Sequence, residues 1–275
     1  MYKRILIALD LEGVNNVAGE PYSGLVRESR DWFVAKDQAV LEVNAAARAL
    51  FDAGADTVGL WDNHGGSQNI DPQALDPRIR LITHDHSRPR MAFAAGEFDC
   101  ICFFGYHAME GTLGGVLAHT MSSVSVQYYK LNGKYIGEVD MDAYIAAEHG
   151  MPSRFFAAGN LACAQAQRAV EGIVTVTTKK EISRNEAVFR DNEELLREIA
   201  GKIVDAVRTE ALPVRLKFPA VMEKSFKRVE DAAKYLTRLK NSGMDSAYPT
   251  DEILGWDAHT VVTTVHDILD FIKCI

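Results

Sequence analysis

Ile5-Leu-Ile-Ala-Leu-Asp-Leu-Glu-Gly13 is an apolar run that passes directly into two carboxylates and a glycine. The apolar residues 5–9 predict a β-strand, and Asp10 and Glu12 follow at its carboxyl end. On an extended segment, side chains at positions i and i+2 project to the same side, so both carboxylates are expected to face one way. Gly13 allows the chain to turn at once and leaves room beside them.

Short apolar runs alternate with amphipathic helical segments along the rest of the chain. Strands are predicted at residues 57–61, 79–83, 99–104, 122–129, 134–136, 154–158 and 173–177, and helices at residues 31–51, 141–149 and 161–170. Asn132-Gly133 predicts a β-hairpin. Alternating strands and helices imply a mainly parallel sheet with helices on both faces. The predicted fold class is α/β, with a mainly parallel or mixed sheet flanked by helices in three layers.

The pattern changes in the C-terminal part of the chain. A long amphipathic helix is predicted at residues 192–210, a strand at 214–218, and helices at 229–239 and 267–273. No repeat or linker separates this part, so we expect residues 1–275 to form a single domain. The C-terminal α/β extension, from about residue 200 to 275, is expected to serve as a subdomain or as an oligomerisation arm.

Composition excludes several classes of protein. The net charge is −8, which argues against a nucleic-acid partner and against binding to anionic membranes. The first apolar run is too short for a signal peptide, and no stretch is long enough for a membrane span. The four cysteines form no CxxC pair and are typical of a reducing compartment. We therefore expect a cytoplasmic protein.

Three strand ends and one helix start carry the candidate site. In an open α/β sheet, ligands bind beyond the carboxyl ends of the strands. Asp10 and Glu12 follow the first strand, His64 follows the second, and His107 follows the strand at 99–104. Glu138 lies at the exit of the hairpin, just before a predicted helix. We expect these five side chains to meet at one edge of the sheet.

Carboxylates packed closely repel each other unless a cation neutralises them. Mixed Asp, Glu and His ligands suit Zn²⁺, or Mn²⁺ and related ions. Five candidates are many for one catalytic zinc and would suit a pair of ions that share a carboxylate and activate a water. Each residue alone has an ordinary explanation as a solvated loop carboxylate, a helix cap or a buried structural histidine. Their joint placement favours the metal site.

The remaining histidines are not equally good candidates for the site. His84 and His86 form a His-x-His pair after a strand, but their polar loop is more typical of a solvated surface. His119 follows a glycine-rich segment that could return over the site, where the imidazole would act as a general acid or base or stabilise an oxyanion. A loop histidine that faces water is the alternative. No role is assigned to His149, His259 or His266.

Several motifs in order point to a known family. They are Asp10-Leu-Glu-Gly13, Trp61-Asp-Asn-His64, Gly105-Tyr-His-Ala108, Ala118-His-Thr-Met121 and Asn132-Gly-Lys-Tyr-Ile-Gly-Glu138. With this spacing, the sequence resembles the DppA-type D-aminopeptidases, a family of zinc metallopeptidases. The resemblance runs to Lys180-Glu-Ile-Ser-Arg184. It departs at Ala158-Gly-Asn-Leu161, where Asn160 and Leu161 stand in place of an acidic pair that the family often carries.

The resemblance implies a site and an assembly. Two zinc ions would be held by Asp10, Glu12, His64, His107 and Glu138, with Asp10 as the bridge between them. His119 matches the family's catalytic histidine that is not a ligand. The family forms large homo-oligomeric rings, such as a decamer, with active sites that open to an inner channel. Such a channel would restrict substrates to short peptides.

The predicted function is a metal-dependent aminopeptidase that removes the N-terminal residue, which could be a D-amino acid, from short peptides. One alternative is another bimetal amidase or a phosphoesterase, for which Arg88, Arg90 and the glycine-rich segment 111–115 could bind an anion. A second alternative is a non-catalytic oligomeric protein that binds a metal or a small ligand at the same residues. Bound-metal content and a substrate panel distinguish the three.

Overall fold

A computed structural model describes residues 1–21, 24–83, 87–251 and 255–275. Within these ranges, no helix combines the length and the apolar character that crossing a membrane requires. In chain order the elements are β1 (Arg4–Leu9), α1 (Arg30–Asp52), β2 (Thr57–Asp62), β3 (Arg80–Ile82), β4 (Cys100–Phe104), β5 (Val126–Leu131), β6 (Lys134–Ile136), α2 (Glu138–Glu148), β7 (Ser153–Ala158), α3 (Asn160–Ala169), β8 (Val174–Thr177), β9 (Lys179–Ser183), β10 (Glu186–Phe189), α4 (Asn192–Arg208), β11 (Ala220–Phe226), α5 (Val229–Asn241), β12 (Ser246–Ala247), β13 (Thr250–Asp251), β14 (Gly255–Trp256), β15 (Thr260–Val265) and α6 (Ile268–Cys274).

A six-stranded parallel sheet forms the centre of the molecule, in the order β3-β2-β1-β4-β7-β8. The alternating side chains of β1 separate two apolar cores. Ile5, Ile7 and Leu9 pack against α1 and α4, whereas Leu6 and Ala8 face α2, α3 and a second sheet. Burial of each larger side chain contributes about 1.5–3 kcal/mol. The structure confirms the predicted α/β class, with the sheet as the middle of three layers.

The second sheet is antiparallel, in the order β12-β15-β11-β5-β6. Asn132 and Gly133 turn the β5–β6 hairpin with φ angles of 49° and 76°, as a two-residue hairpin turn requires. The strands of the C-terminal region pair with this hairpin through β11 and β5. Strands β11, β12 and β15 therefore build one sheet together with the β5–β6 hairpin.

One strand prediction was wrong, and several strands in the C-terminal half were missed. The strand predicted at residues 214–218 lies instead at Ala220–Phe226. Val214, Leu216 and Phe218 do alternate and pack on the core, but hydrogen-bonding partners begin only at Ala220, opposite Val265. Strands β9 and β10 were not predicted, because four of their nine residues are charged and no apolar run marks them. Strands β12 to β15 were not predicted either. Helix α2 starts at Glu138 instead of residue 141.

Candidate metal centre

The loops after β1 and β4 touch each other at the carboxyl edge of the parallel sheet. The Gly13 N–H donates to the carbonyl oxygen of Gly105 at 2.6 Å. A Cβ atom on Gly13 would lie 1.9 Å from the carbonyl oxygen of Tyr106, so only glycine fits there. This close approach of two backbones holds the carboxylates of Asp10 and Glu12 over the end of β4.

His64 faces both carboxylates that follow β1. Its Nδ1 lies 2.8 Å from Asp10 Oδ1 and 3.1 Å from Glu12 Oε2. Asp10 and Glu12 are both buried. Two carboxylates are therefore converging on a single imidazole nitrogen, on the side of the site nearest to β2.

A second group of side chains surrounds Glu138. Its Oε1 lies 3.3 Å from His107 Nε2 and 3.9 Å from His119 Nε2. Each ring donates its Nδ1–H to a backbone carbonyl, His107 to Ala108 at 3.0 Å and His119 to Leu117 at 2.8 Å. These bonds fix the tautomers and leave both Nε2 atoms free to face the site.

His107 joins the two groups, because its Nε2 also lies 3.5 Å from Asp10 Oδ2. Ligand atoms of Asp10, Glu12 and His107 all lie within 4.8 Å of one another, and the same holds for His107, His119 and Glu138. The structure thus brings together all five residues predicted to bind metal, and it places His119 next to them. Their assignment as ligands stays a prediction.

Electrostatics show that this cluster needs positive charge. Burial, and then the neighbouring Glu12, raise the pKa of Asp10 to about 7. Burial alone would lower the pKa of His64, but Glu12 and Asp10 raise it to about 11. In the same way, Glu138 overcomes the effect of burial and raises the pKa of His107 to about 10. Without a metal, the imidazoles must therefore carry the charge that balances the acids.

The donor set fits zinc. The buried Nε2 atom of His107 lacks a hydrogen-bond partner among the described residues, although two carboxylates lie nearby. A buried nitrogen in that position is costly unless it binds something. Imidazole and carboxylate ligands at such mutual distances suit Zn²⁺, and they are numerous enough for two ions.

A cavity of about 470 Å³ opens above the cluster. Asp10, Glu12, His64, His119 and Glu138 line it, and two arginines, Arg90 and Arg184, reach its wall. Arg184 is at the turn of the β9–β10 hairpin, which the sequence patterns did not reveal. Segment 111–115, proposed above as an anion-binding loop, is absent from the described lining of this cavity, and Arg88 is exposed outside it.

Two further residues of the hairpin support the site and were also missed. Lys179 is buried, and its ammonium group donates to the carbonyl oxygens of Glu12, Val14 and Val17. Both residues belong to a run of charged residues, and such runs are usually exposed to solvent, so nothing in the sequence indicated a buried role. The second residue is Glu181, whose role depends on α3.

Glu181 bonds to the backbone at the start of α3, where Asn160 and Leu161 stand. Its carboxylate accepts the backbone N–H groups of Leu161, at 2.8 Å, and of Val116, at 2.8 Å. Asn160 accepts the N–H of Glu181 in return, at 2.7 Å. A carboxylate at the first turn of α3 is favoured by the helix dipole.

Neither His149 nor His259 belongs to the cluster. His149 ends α2, and the His259 ring bonds to the carbonyl of Phe226 at 2.9 Å, a structural contact. His84 and His86 lie outside the described residues.

Comparison with known proteins places the chain in a family. A model of the D-aminopeptidase family matches residues 3–245. D-aminopeptidase from Bacillus subtilis (strain 168) is 25% identical over 185 residues, which cover 66% of this chain and 65% of that protein, just under two thirds of its length. The solved structure of the Zn-dependent D-aminopeptidase DppA from Bacillus subtilis, described as a self-compartmentalizing protease, is 21% identical. Its TM-score of 0.84, over 98% of this chain and 94% of that one, shows a shared fold. Because the family model spans most of the sequence, the chain belongs to the D-aminopeptidase family.

Proposed function

We propose that this protein is a zinc-dependent aminopeptidase that releases the N-terminal residue, of D configuration, from short peptides. The observation that carries the proposal is the convergence of buried acids and imidazoles around His107 in a member of the D-aminopeptidase family. The named relatives are a D-aminopeptidase and a Zn-dependent D-aminopeptidase, which supports both the metal and the reaction.

Asp10, Glu12, His64, His107 and Glu138 would hold two zinc ions, and Asp10 faces both His64 and His107. When bound, zinc supplies a water of lowered pKa and polarises the scissile carbonyl. Mn²⁺ or a similar ion could take the same ligands.

His119 is the catalytic side chain proposed beside the ligands. Its Nδ1–H is held by Leu117, so its Nε2 presents a lone pair or a proton toward the cavity. Burial, and then the adjacent His107, lower the pKa of His119. The neutral imidazole can accept a proton and then deliver it to the leaving amine, and in its protonated form it can donate to the oxyanion.

We propose further that the protein is cytoplasmic and assembles as a homo-oligomeric ring such as a decamer. The solved relative is described as self-compartmentalizing, and enclosure of the cavity would restrict entry to short peptides. The apolar side chains of Val26 and Val124, exposed at 56% and 82%, lie at the cavity wall and suit a covered surface.

The test compares three substrates with the same enzyme preparation. D-alanyl-D-alanine, L-alanyl-L-alanine and a phosphodiester are incubated with the protein as purified, after EDTA, and after re-addition of Zn²⁺. We expect release of D-alanine that EDTA abolishes and that two equivalents of Zn²⁺ per chain restore. Hydrolysis of the phosphodiester alone would replace the proposal with a phosphoesterase. Full activity after EDTA would exclude metal chemistry.

A further inference from the structure

The cavity holds opposite charges on different parts of its wall. The carboxylates of Asp10, Glu12 and Glu138 lie at its floor, while Arg90 and Arg184 are the arginines in its lining. A short peptide is a zwitterion with its amine and its carboxylate only a few bonds apart. One of these arginines is therefore a candidate partner for the carboxylate of the substrate.

Arg90 already has a partner. Its Nε and Nη2 atoms bond to the two oxygens of Asp142 at 2.6 Å and 2.8 Å, and its guanidinium lies 4.9 Å from the ring centroid of Trp61. Asp142 is fully buried and also accepts the hydroxyl of Tyr106 at 2.7 Å. The N–H donors of Arg90 that could bind a substrate carboxylate are therefore already occupied by Asp142.

Arg184 is free to bind. Its Nη1 donates to the carbonyl oxygen of Ala118 at 2.8 Å, and its own carbonyl accepts the N–H of Leu117 at 2.9 Å. Within residues 1–21, 24–83, 87–251 and 255–275, its guanidinium forms no ion pair and its Nε and Nη2 atoms have no hydrogen-bond partner. The two bonds to residues 117 and 118 fix Arg184 immediately beside His119.

We propose that Arg184 binds the carboxylate of the residue that leaves, and that the enzyme thereby selects peptides with a free α-carboxylate close to the scissile bond. This inference rests on the proposed function. The guanidinium retains two adjacent N–H donors, the arrangement that matches both oxygens of a carboxylate. The substrate class is then free dipeptides. Amidated or longer peptides place the negative charge elsewhere or lack it.

The experiment measures kcat/KM for a dipeptide, for its C-terminal amide and for the corresponding tripeptide. Three variants are compared with the wild type. Arg184→Gln removes the charge but can still donate to Ala118, Arg184→Lys keeps the charge, and Lys180→Met removes an exposed charge from the same hairpin as a control. A charge-assisted bond corresponds to a factor of about 10 to 100.

We expect wild type to favour the free dipeptide over its amide by about 10- to 100-fold. In Arg184→Gln this preference should disappear, because kcat/KM falls for the free dipeptide and stays the same for its amide. Arg184→Lys should retain part of the preference, and Lys180→Met should retain all of it. An equal loss on acid and amide would mean that Arg184 only positions His119, and an unchanged preference would mean that the carboxylate binds elsewhere. Either result overturns the proposal.

Failure of the proposed function gives a different result. If wild type hydrolyses none of these peptides, the aminopeptidase reaction is excluded. Calorimetric titration of the zinc-loaded protein with the same acid and amide then decides the role of Arg184, because binding requires no turnover. A preference for the acid that Arg184→Gln abolishes supports the carboxylate site, and equal binding of both peptides rejects it.

Discussion

The imidazole rings of His107 and His119 are stacked, with centroids 3.8 Å apart and planes 12° from parallel. Two imidazolium ions at this distance would repel each other strongly. The pair can therefore carry one positive charge or a metal on His107, while His119 stays neutral. Under the proposed function, the two adjacent rings have different roles: His107 would bind zinc, and His119 would transfer protons.

Substitution of each ring should give a different defect. His119→Ala should lower kcat by about 100-fold or more and leave the zinc content unchanged, because proton transfer is lost but the ligands remain. His107→Ala should lower both zinc content and activity. Metal analysis after dialysis, together with kcat, checks the prediction. A loss of zinc in His119→Ala would show that His119 is itself a ligand.

The contact between the β1 and β4 loops should not tolerate a side chain at Gly13. Gly13→Ala would place a Cβ atom 1.9 Å from a backbone oxygen, and backbone cannot move aside as a flexible side chain can. We expect loss of zinc binding and of activity, with a fall in melting temperature. Gly66→Ala is the matched control, since no atom lies within 4 Å of its Cβ position. Equal zinc binding and equal melting temperatures of the two variants would contradict the explanation that Gly13 is required by the backbone contact.

Zinc removal should invert the effect of Asp10→Asn on stability. Asp10 and Glu12 are buried beside Glu138, and without metal their charges are only partly compensated. In the metal-free protein, Asp10→Asn removes one of these charges and should raise the melting temperature by several degrees. With zinc present, wild type should be the more stable protein, because only wild type binds the ions tightly. Thermal unfolding with EDTA and with zinc measures both differences.

The convergence of the five residues proposed as metal ligands could be predicted because each comes shortly after a strand or at a helix start. Asp10, His64 and His107 follow apolar runs, and the topology of a parallel sheet then brings their loops together. The local sequence was enough for this prediction, because the end of a strand can be located without knowing which strands pair with it. The same reasoning identified the Asn132-Gly133 turn.

The supporting residues could not be predicted in this way. Lys179 bonds to carbonyl groups that lie 162 to 167 positions earlier in the chain. Arg184 reaches a carbonyl 66 positions away. Both lie in a charged segment without apolar periodicity, and their roles appear only once β9 and β10 are folded against the loops after β1 and before His119. Strand β11 was misplaced for a related reason, since alternation is visible in sequence but pairing partners are not.

Lys179 should matter for zinc affinity without touching the metal. Its ammonium binds three carbonyl oxygens around the turn that carries Glu12, so Lys179→Met leaves these oxygens buried without a donor. We expect zinc affinity to fall by about 10- to 100-fold, as for other residues that orient ligands. Competition with a chelator measures the affinity. Lys180→Met, at the neighbouring exposed position, should bind zinc like wild type.

Lys224, which is outside the candidate metal centre, should make the stability of the protein depend on pH. Its ammonium is buried among Tyr129, Phe226 and Tyr235 and donates to the carbonyl of Ile275 at 2.9 Å. Burial, and then the charge of Arg238, lower the pKa of Lys224 to about 7. An unfolded lysine titrates near 10.4, so between these two values the unfolded chain binds more protons than the folded one.

The contribution of Lys224 to stability should therefore rise as the pH rises from 7 toward 10, and the cost of burying its charge is fully present below pH 7. The gain should be roughly 2 to 4 kcal/mol, from the separation of the two pKa values. Lys224→Met carries no charge to bury, so its advantage over wild type should be largest at pH 7 and fade by pH 10. Urea unfolding at pH 7, 8.5 and 10 measures the free energies of wild type, Lys224→Met and the exposed control Lys234→Met. A constant gap between wild type and Lys224→Met across this pH range would show that Lys224 stays charged when folded.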